Sequence, residues 1–135
     1  VNSSRRPFAT RWNDNDVFGH LNNTVYYTAM DTTITSWLIT NGHFDIETSE
    51  TLAFCVSSSC RFIEPASFPD TLEVVLRAGK VGTTSIVWAL DLFRTSDGLQ
   101  VAAGEFVHVF VGRDTKRPVP IPATLREAVE AELVG

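Results

Sequence analysis

The 135-residue sequence has no apolar run approaching the roughly 20 residues of a membrane-spanning helix, which argues against an integral helical membrane protein. It also has no excess of basic residues. Eleven Lys and Arg stand against sixteen Asp and Glu, a net charge of −5, whereas a nucleic-acid-binding domain normally carries a basic face. There are only two cysteines, Cys55 and Cys60, with no histidine close to either in sequence, so a metal site lacks the ligands it needs at recognised spacing. Five residues apart on what reads as one strand, their side chains are expected on opposite faces, unable to bridge each other. The opening stretch VNSSRRPF lacks the apolar core of a signal peptide, so the expected location is cytoplasmic.

What is present is ordinary for a globular protein: 44% hydrophobic and 20% charged residues, enough for one domain over residues 1–135. Residues 6–12, with Phe8 and Trp12 apolar, read as a first strand, and 13–21 as a polar loop. Tyr26, Met30, Thr33, Ile34, Trp37 and Leu38 then recur at helical spacing, which predicts an 18-residue helix capped by Asn22 or Asn23 and closed near Asn41 and Gly42. Residues 43–50 read as an irregular connector, with Phe44 and Ile46 as anchors and His43 solvated.

Alternation of period two governs most of the chain beyond the connector. Residues 53–63 read as a half-buried strand with Phe54, Val56, Cys60 and Phe62 on one face and Ser57, Ser59 and Arg61 on the other. The strand at 71–80 points Leu72, Val74, Leu76 and Ala78 inward, and the strand at 84–94 does the same with Ile86, Trp88, Leu90 and Leu92. Residues 100–111 look covered on both faces and hence central, with His108 a satisfied sheet residue. Glu105 interrupts that strand and faces either the active-site cleft or a cation at an interface. Pro118, Pro120 and Pro122 stop the sheet, and 123–133 reads as a short helix striped by Leu125, Val129 and Leu133. The layout is α+β: one five-stranded antiparallel sheet wrapped around a long helix. Its open edges call for a second copy, so a homodimer or a dimer of dimers is expected.

The chemistry is concentrated in residues 11–31. Asp14, Asp16 and His20, then Asn22, Asn23 and Thr24, fall within eleven residues and run straight into the long helix. An acid, an imidazole and free backbone donors would then surround one helix N-terminus, an electropositive site for a developing oxyanion. Arg113, Lys116 and Arg117 form a basic cluster after the last strand, suited either to a solvated turn or to phosphate contact.

The run Arg11-Trp12-Asn13-Asp14-Asn15-Asp16-Val17-Phe18-Gly19-His20-Leu21-Asn22-Asn23 resembles the signature of the hotdog-fold thioesterases, in particular the 4-hydroxybenzoyl-CoA thioesterase-like branch, with Leu21 replacing a valine. Weaker similarity runs through Phe68-Pro69-Asp70, residues 82–85 and residues 117–122. The resemblance implies a hotdog fold and hydrolysis of acyl-CoA, with acyl-carrier protein as another possible carrier, and no cofactor. It puts the catalytic carboxylate on Asp16 as nucleophile or general base, and makes Asp14 a supporting residue. It puts the oxyanion site on the backbone N–H groups near Asn22 and Asn23. His20 occupies the position of a histidine linked to catalysis in the related plant acyl-carrier-protein thioesterases. Those enzymes carry an asparagine two residues after the acid, where this chain has Phe18, so their full constellation does not transfer. Asn22, Asn23, Tyr26, Arg113, Lys116 and Arg117 are the expected substrate contacts. The competing functions on the same fold are an enoyl-thioester hydratase or dehydratase and a non-catalytic acyl-CoA-binding module.

Overall fold

A computed structural model describes residues 2–135. The chain forms β1 (Ser4–Ala9), a 3-10 turn (Trp12–Asp14), α1 (Asn23–Thr40), β2 (Thr51–Phe62), β3 (Thr71–Val81), β4 (Ser85–Arg94), β5 (Gln100–Gly112) and α2 (Ala123–Glu132). The five strands make one antiparallel sheet in the order β1-β3-β4-β5-β2. This is the α+β architecture expected from the alternation.

The inward sets of β3 and β4 form the core floor: Leu72, Val74, Leu76, Ile86, Trp88, Leu90 and Leu92 are all buried. Ala29, Met30 and Ile34 of α1 lie on them, also fully buried. The approach is tight at Gly104, where an added Cβ would stand 2.5 Å from Met30 Sδ and 2.6 Å from the Ser59 carbonyl oxygen. Only glycine leaves room for the helix to pass there. The helix ends as its sequence predicts: Asn41 Nδ2 donates to the Trp37 carbonyl at 2.8 Å, and Gly42 takes φ +75°. α2 and its C-cap pack Leu125, Val129 and Leu133 against the sheet, and the Leu133 carbonyl accepts from Ala78 N–H at 3.0 Å.

The folded chain departs from the sequence expectations in several places. The first strand ends at Ala9, and Trp12 belongs to the 3-10 turn with its side chain 74% exposed, because the Asp14 carboxylate captures the Arg11 N–H and bends the chain. Ile46 is 70% exposed and anchors nothing. His43 is only partly solvated, since its ring stacks on Trp37 at 5.2 Å.

The largest correction concerns β2. A register shift between Cys55 and Ser57 leaves Val56 as an extra residue, so the two halves of the strand alternate out of step. Cys55 lies opposite His108 and Cys60 opposite Gly104, on the same α1-facing side, while Phe54 turns to the other face. The cysteines therefore share a face, four positions apart along β5, and both are free thiols. Residues 54–59 are exposed rather than half-buried because β2 is the sheet edge and α1 leaves this middle stretch uncovered.

The two edges differ. β1 is six residues long and carries Arg5, Arg6 and Pro7, which discourage further pairing, whereas β2 spans twelve residues with no proline and one charge, Arg61. Glu105 lies on the face away from α1, opposite Ser59 and Ala89, and so does not face the Asp16 loop.

Candidate active site

The loop from Arg11 to Asn22 is held by its own polar groups. The Asp14 carboxylate, only 5% exposed, accepts from Arg11 N–H at 2.7 Å and from the Arg11 guanidinium at 3.0 and 3.3 Å. The Asp14 carbonyl accepts from Asn22 N–H at 2.9 Å, joining the start of the loop to the start of the helix. Between those points the chain makes a tight excursion. Asp16 N–H donates to the His20 carbonyl at 2.9 Å, Gly19 N–H returns to the Asp16 carbonyl at 3.0 Å, and Gly19 takes φ +80°, which the reversal requires. Asp16 Oδ1 accepts from Phe18 N–H at 2.9 Å.

A second segment braces this loop from outside. Ser67 Oγ donates to the Gly19 carbonyl at 2.7 Å, Phe68 N–H donates to Asn15 Oδ1 at 3.0 Å, and Leu21 N–H donates to the Ala66 carbonyl at 2.8 Å. Asn15 is thus a positioning side chain that does not figure among the residues expected from sequence. Its one local signal is a short amide between two acids.

At the helix N-terminus, Asn22 is the cap, and its Oδ1 accepts from Thr24 N–H at 3.0 Å. Val25 N–H is taken by the Asn22 carbonyl at 2.9 Å. The Asn22 N–H is committed to Asp14, so it is not an available donor; the Asn23 N–H donates to no group among the described residues. One free donor at the positive end of an 18-residue helix is therefore the feature of this loop suited to a carbonyl oxygen.

The expected site residues do not share a single cleft within one chain. Asp16 and Asn22 border one with Phe8, Asn13 and Thr28, whereas His20, Asn23 and Tyr26 border another with Phe62 and Pro65. Both clefts flank the same helix N-terminus. Tyr26 is 4% exposed and packed edge-on to Phe62 at 5.1 Å, and its burial pushes the phenol pKa up, opposed by the nearby Ala66 backbone. Its ring is part of the wall of the cleft that holds His20 and Asn23.

The basic cluster divides. Arg113 reaches back to the 46–50 connector, with its guanidinium on the Ser49 and Ile46 carbonyls and its N–H on the Glu50 carbonyl at 2.7 Å. It is a structural clamp. Lys116 folds onto the Arg113 carbonyl from a left-handed turn at φ 57°, and Arg117 is exposed. Within one chain the cluster follows the end of β5 that lies beside Thr51, whereas α1 begins near Phe62 at the other end of β2. No group of three or more metal-ligating side chains occurs among the described residues.

Residues 10–129 match the thioesterase-like superfamily. The PA5185 protein from Pseudomonas aeruginosa strain PAO1 is 43% identical over 96% of this chain and 91% of that one, with a TM-score of 0.89. The PA2801 protein from Pseudomonas aeruginosa, a suggested thioesterase, is 29% identical over 95% of this chain and 97% of that one, with a TM-score of 0.84. At 18% identity, Slr0204, the 1,4-dihydroxy-2-naphthoyl-CoA thioesterase from Synechocystis, shares the fold at a TM-score of 0.85 over 94% of this chain and 95% of that one. No protein of curated function matches the sequence. Motif, sheet order and a match spanning residues 10–129 agree, and the chain belongs to the thioesterase-like superfamily as a hotdog-fold thioester hydrolase.

Proposed function

We propose that the protein hydrolyses acyl-CoA thioesters, releasing a carboxylic acid and coenzyme A, with Asp16 as the acting carboxylate and the Asn23 N–H as oxyanion donor. The observation that supports this reading is an accessible carboxylate and an N–H without an acceptor among the described residues, in neighbouring clefts that flank the same start of α1. A thioester carbonyl aimed at that N–H gains a hydrogen bond and the positive end of the helix dipole as its oxygen becomes negative.

The chemistry then needs one oxygen and one proton acceptor. By the base route, Asp16 takes a proton from water while the water oxygen bonds to the carbonyl carbon. The C–S bond breaks, coenzyme A leaves as thiolate, and the proton held by Asp16 passes to it, restoring the carboxylate. By the nucleophile route, an Asp16 oxygen attacks the carbonyl carbon, the thiolate leaves, and water hydrolyses the mixed anhydride, restoring the carboxylate. Label from heavy-oxygen water appearing in Asp16 after one turnover identifies the nucleophile route with water attacking the Asp16 side of the anhydride, and trapping the acyl-enzyme with hydroxylamine identifies it when water attacks the acyl carbon. His20, exposed beside Asn23, is proposed to contact the substrate from the neighbouring cleft.

The working unit is proposed to be a homodimer joined along β2, the long edge without proline. Antiparallel pairing about a two-fold axis sets the Phe62 end of one copy beside the Thr51 end of the other. Lys116 and Arg117 of one copy then approach the α1 N-terminus of the other, where they suit the phosphates of coenzyme A. Among the described residues no helix is long and apolar enough to cross a membrane. Thiol release from a panel of acyl-CoA esters tests the reading: wild type is expected to turn over at least one ester and Asp16→Asn to lose at least about a hundredfold in kcat. Turnover by Asp16→Asn at the wild-type rate overturns the assignment.

A further inference from the structure

His108 lies on the α1-facing side of β5, 4% exposed, and its Nδ1 accepts from Trp88 Nε1–H at 3.0 Å. An indole nitrogen only donates, so this contact fixes the neutral imidazole tautomer with its proton on Nε2. That Nε2–H has no hydrogen-bond partner among the described residues, yet no side-chain nitrogen or oxygen is both sealed off and unpaired, so it reaches open space. The open space beside it is a cavity of about 140 Å³ between the second half of α1, the start of β2 and α2, walled by Leu38, Phe44, Phe110 and Leu125. Asp31 on α1 and Cys55 on β2, both exposed, frame its mouth. Burial pushes the His108 imidazole below its ordinary pKa, opposed weakly by the Asp31 charge, so the ring presents a neutral donor.

Water in the mostly apolar cavity can accept from this donor, and a bound group that displaces the water must bring an acceptor of its own or lose that hydrogen bond. An apolar cavity of about 150 Å³ is known to admit benzene, which sets the scale at one ring. The Asp31 carboxylate at the mouth disfavours an anion. A compact group with a neutral oxygen at its far end fits all three constraints.

We propose that this cavity receives the acyl end of the thioester bound at the other copy's α1 N-terminus, and that His108 Nε2–H selects ring-sized acyl groups bearing a neutral hydrogen-bond acceptor. The inference rests on the thioesterase reading and on the β2 dimer. Within one chain the cavity mouth at Asp31 is eight helical residues from Asn23, about 12 Å along the axis, further than a ring-sized acyl group extends. Across a β2–β2 pairing, the Thr51–Cys55 segment that borders the cavity sits beside the partner's Phe62, with strands about 4.8 Å apart. His108 is thus a specificity-determining residue, supplied by one copy to the other's reaction.

Two thioesters of equal shape test the donor: cyclohexanecarbonyl-CoA and its 4-oxo analogue. Wild type is expected to favour the 4-oxo ester in kcat/KM by about fivefold or more, the value of one hydrogen bond. His108→Gln, which keeps an acceptor for Trp88 and a donor for the ligand, retains the preference; His108→Leu loses it. Equal kcat/KM for both esters in wild type overturns the selectivity. Subunit mixing tests the trans arrangement, using Asp16→Asn with the cavity-filling Ala53→Leu, each impaired alone. A hybrid dimer regains one intact site only if acid and cavity come from different chains, so absence of recovery overturns the arrangement. If wild type hydrolyses no acyl-CoA, the thioesterase reading fails by itself, and cyclohexanone binding still decides the subsite. Saturable movement of the Trp88 indole N–H resonance by cyclohexanone, absent in His108→Leu, supports it; no movement in wild type overturns it.

Discussion

The carbonyl of Asp14 accepts the backbone N–H of Asn22 at 2.9 Å, so the residue that opens the acid loop is bonded to the residue that caps the long helix. This bond acts on its neighbours in two ways. The loop between its ends is short and closed, and Asp16 is carried at the helix start. The Asn22 N–H is removed from the set of free donors, which leaves the Asn23 N–H.

The two acids should separate cleanly on substitution. Asp14→Asn weakens a buried carboxylate holding three Arg11 contacts and is expected to lower stability by about 1–2 kcal/mol while retaining most activity at permissive temperature. Asp16→Asn should leave the thermal midpoint nearly unchanged and remove turnover with substrate still bound. Parallel thermal melts and steady-state kinetics distinguish them. Equal loss of activity in both would mean that loop charge, and not a particular carboxylate, carries the effect.

Gly104 predicts a packing penalty. Its Cβ position is already filled to 2.5 Å by Met30 Sδ and to 2.6 Å by the Ser59 carbonyl oxygen. Gly104→Ala must push the helix or the edge strand outward, and about 1–3 kcal/mol of destabilisation is expected in a urea titration. Adding Met30→Ala should recover part of the side-chain clash but not the backbone one.

Assembly is tested at the bulge. Val56 is 61% exposed on the open edge, and Val56→Lys places a charge where a second β2 would pair. Sedimentation equilibrium should show wild type as a dimer or larger even oligomer and Val56→Lys as a monomer, with activity lost together with pairing. A fully active wild-type monomer would remove the basis for a site shared between copies.

His108 gives a pH signature in stability. Its folded pKa lies below the ordinary value of 6.5, so between those two values the unfolded chain binds more protons than the folded one. Stability therefore rises with pH across that window and levels off above it; conversely, it falls as the solution is acidified below about 6.5. Urea midpoints measured from pH 7 down to pH 5 should show this slope, reduced in His108→Gln. An identical slope in that variant would assign it to other groups.

The basic cluster makes a substrate-dependent prediction. Arg117→Ala and Lys116→Ala should raise KM for coenzyme A thioesters more than for pantetheine thioesters, which lack the nucleotide phosphates. Arg113→Ala should act differently, loosening the 46–50 connector and lowering stability for either substrate.

Residue spacing along the chain was enough to dictate the layers and to locate the acid loop. Uninterrupted alternation at Leu72, Val74 and Leu76 and at Ile86, Trp88 and Leu90 can bury only one face, and a helix with the spacing of Met30, Ile34 and Trp37 can cover it. The cap at Asn22 and the turn at Gly42 were legible for the same reason, since each depends on a few neighbouring residues. Features that depend on distant partners were not legible. The bulge at Val56 arises from how β2 registers on β5, and it placed Cys55 and Cys60 on one face despite their odd spacing. The commitment of Arg113 to the Ser49 and Ile46 carbonyls, and of the Asn22 N–H to Asp14, likewise came only with the folded chain. So did the tautomer of His108, because it is set by a hydrogen bond from Trp88, twenty residues earlier, that exists only once β4 and β5 lie side by side.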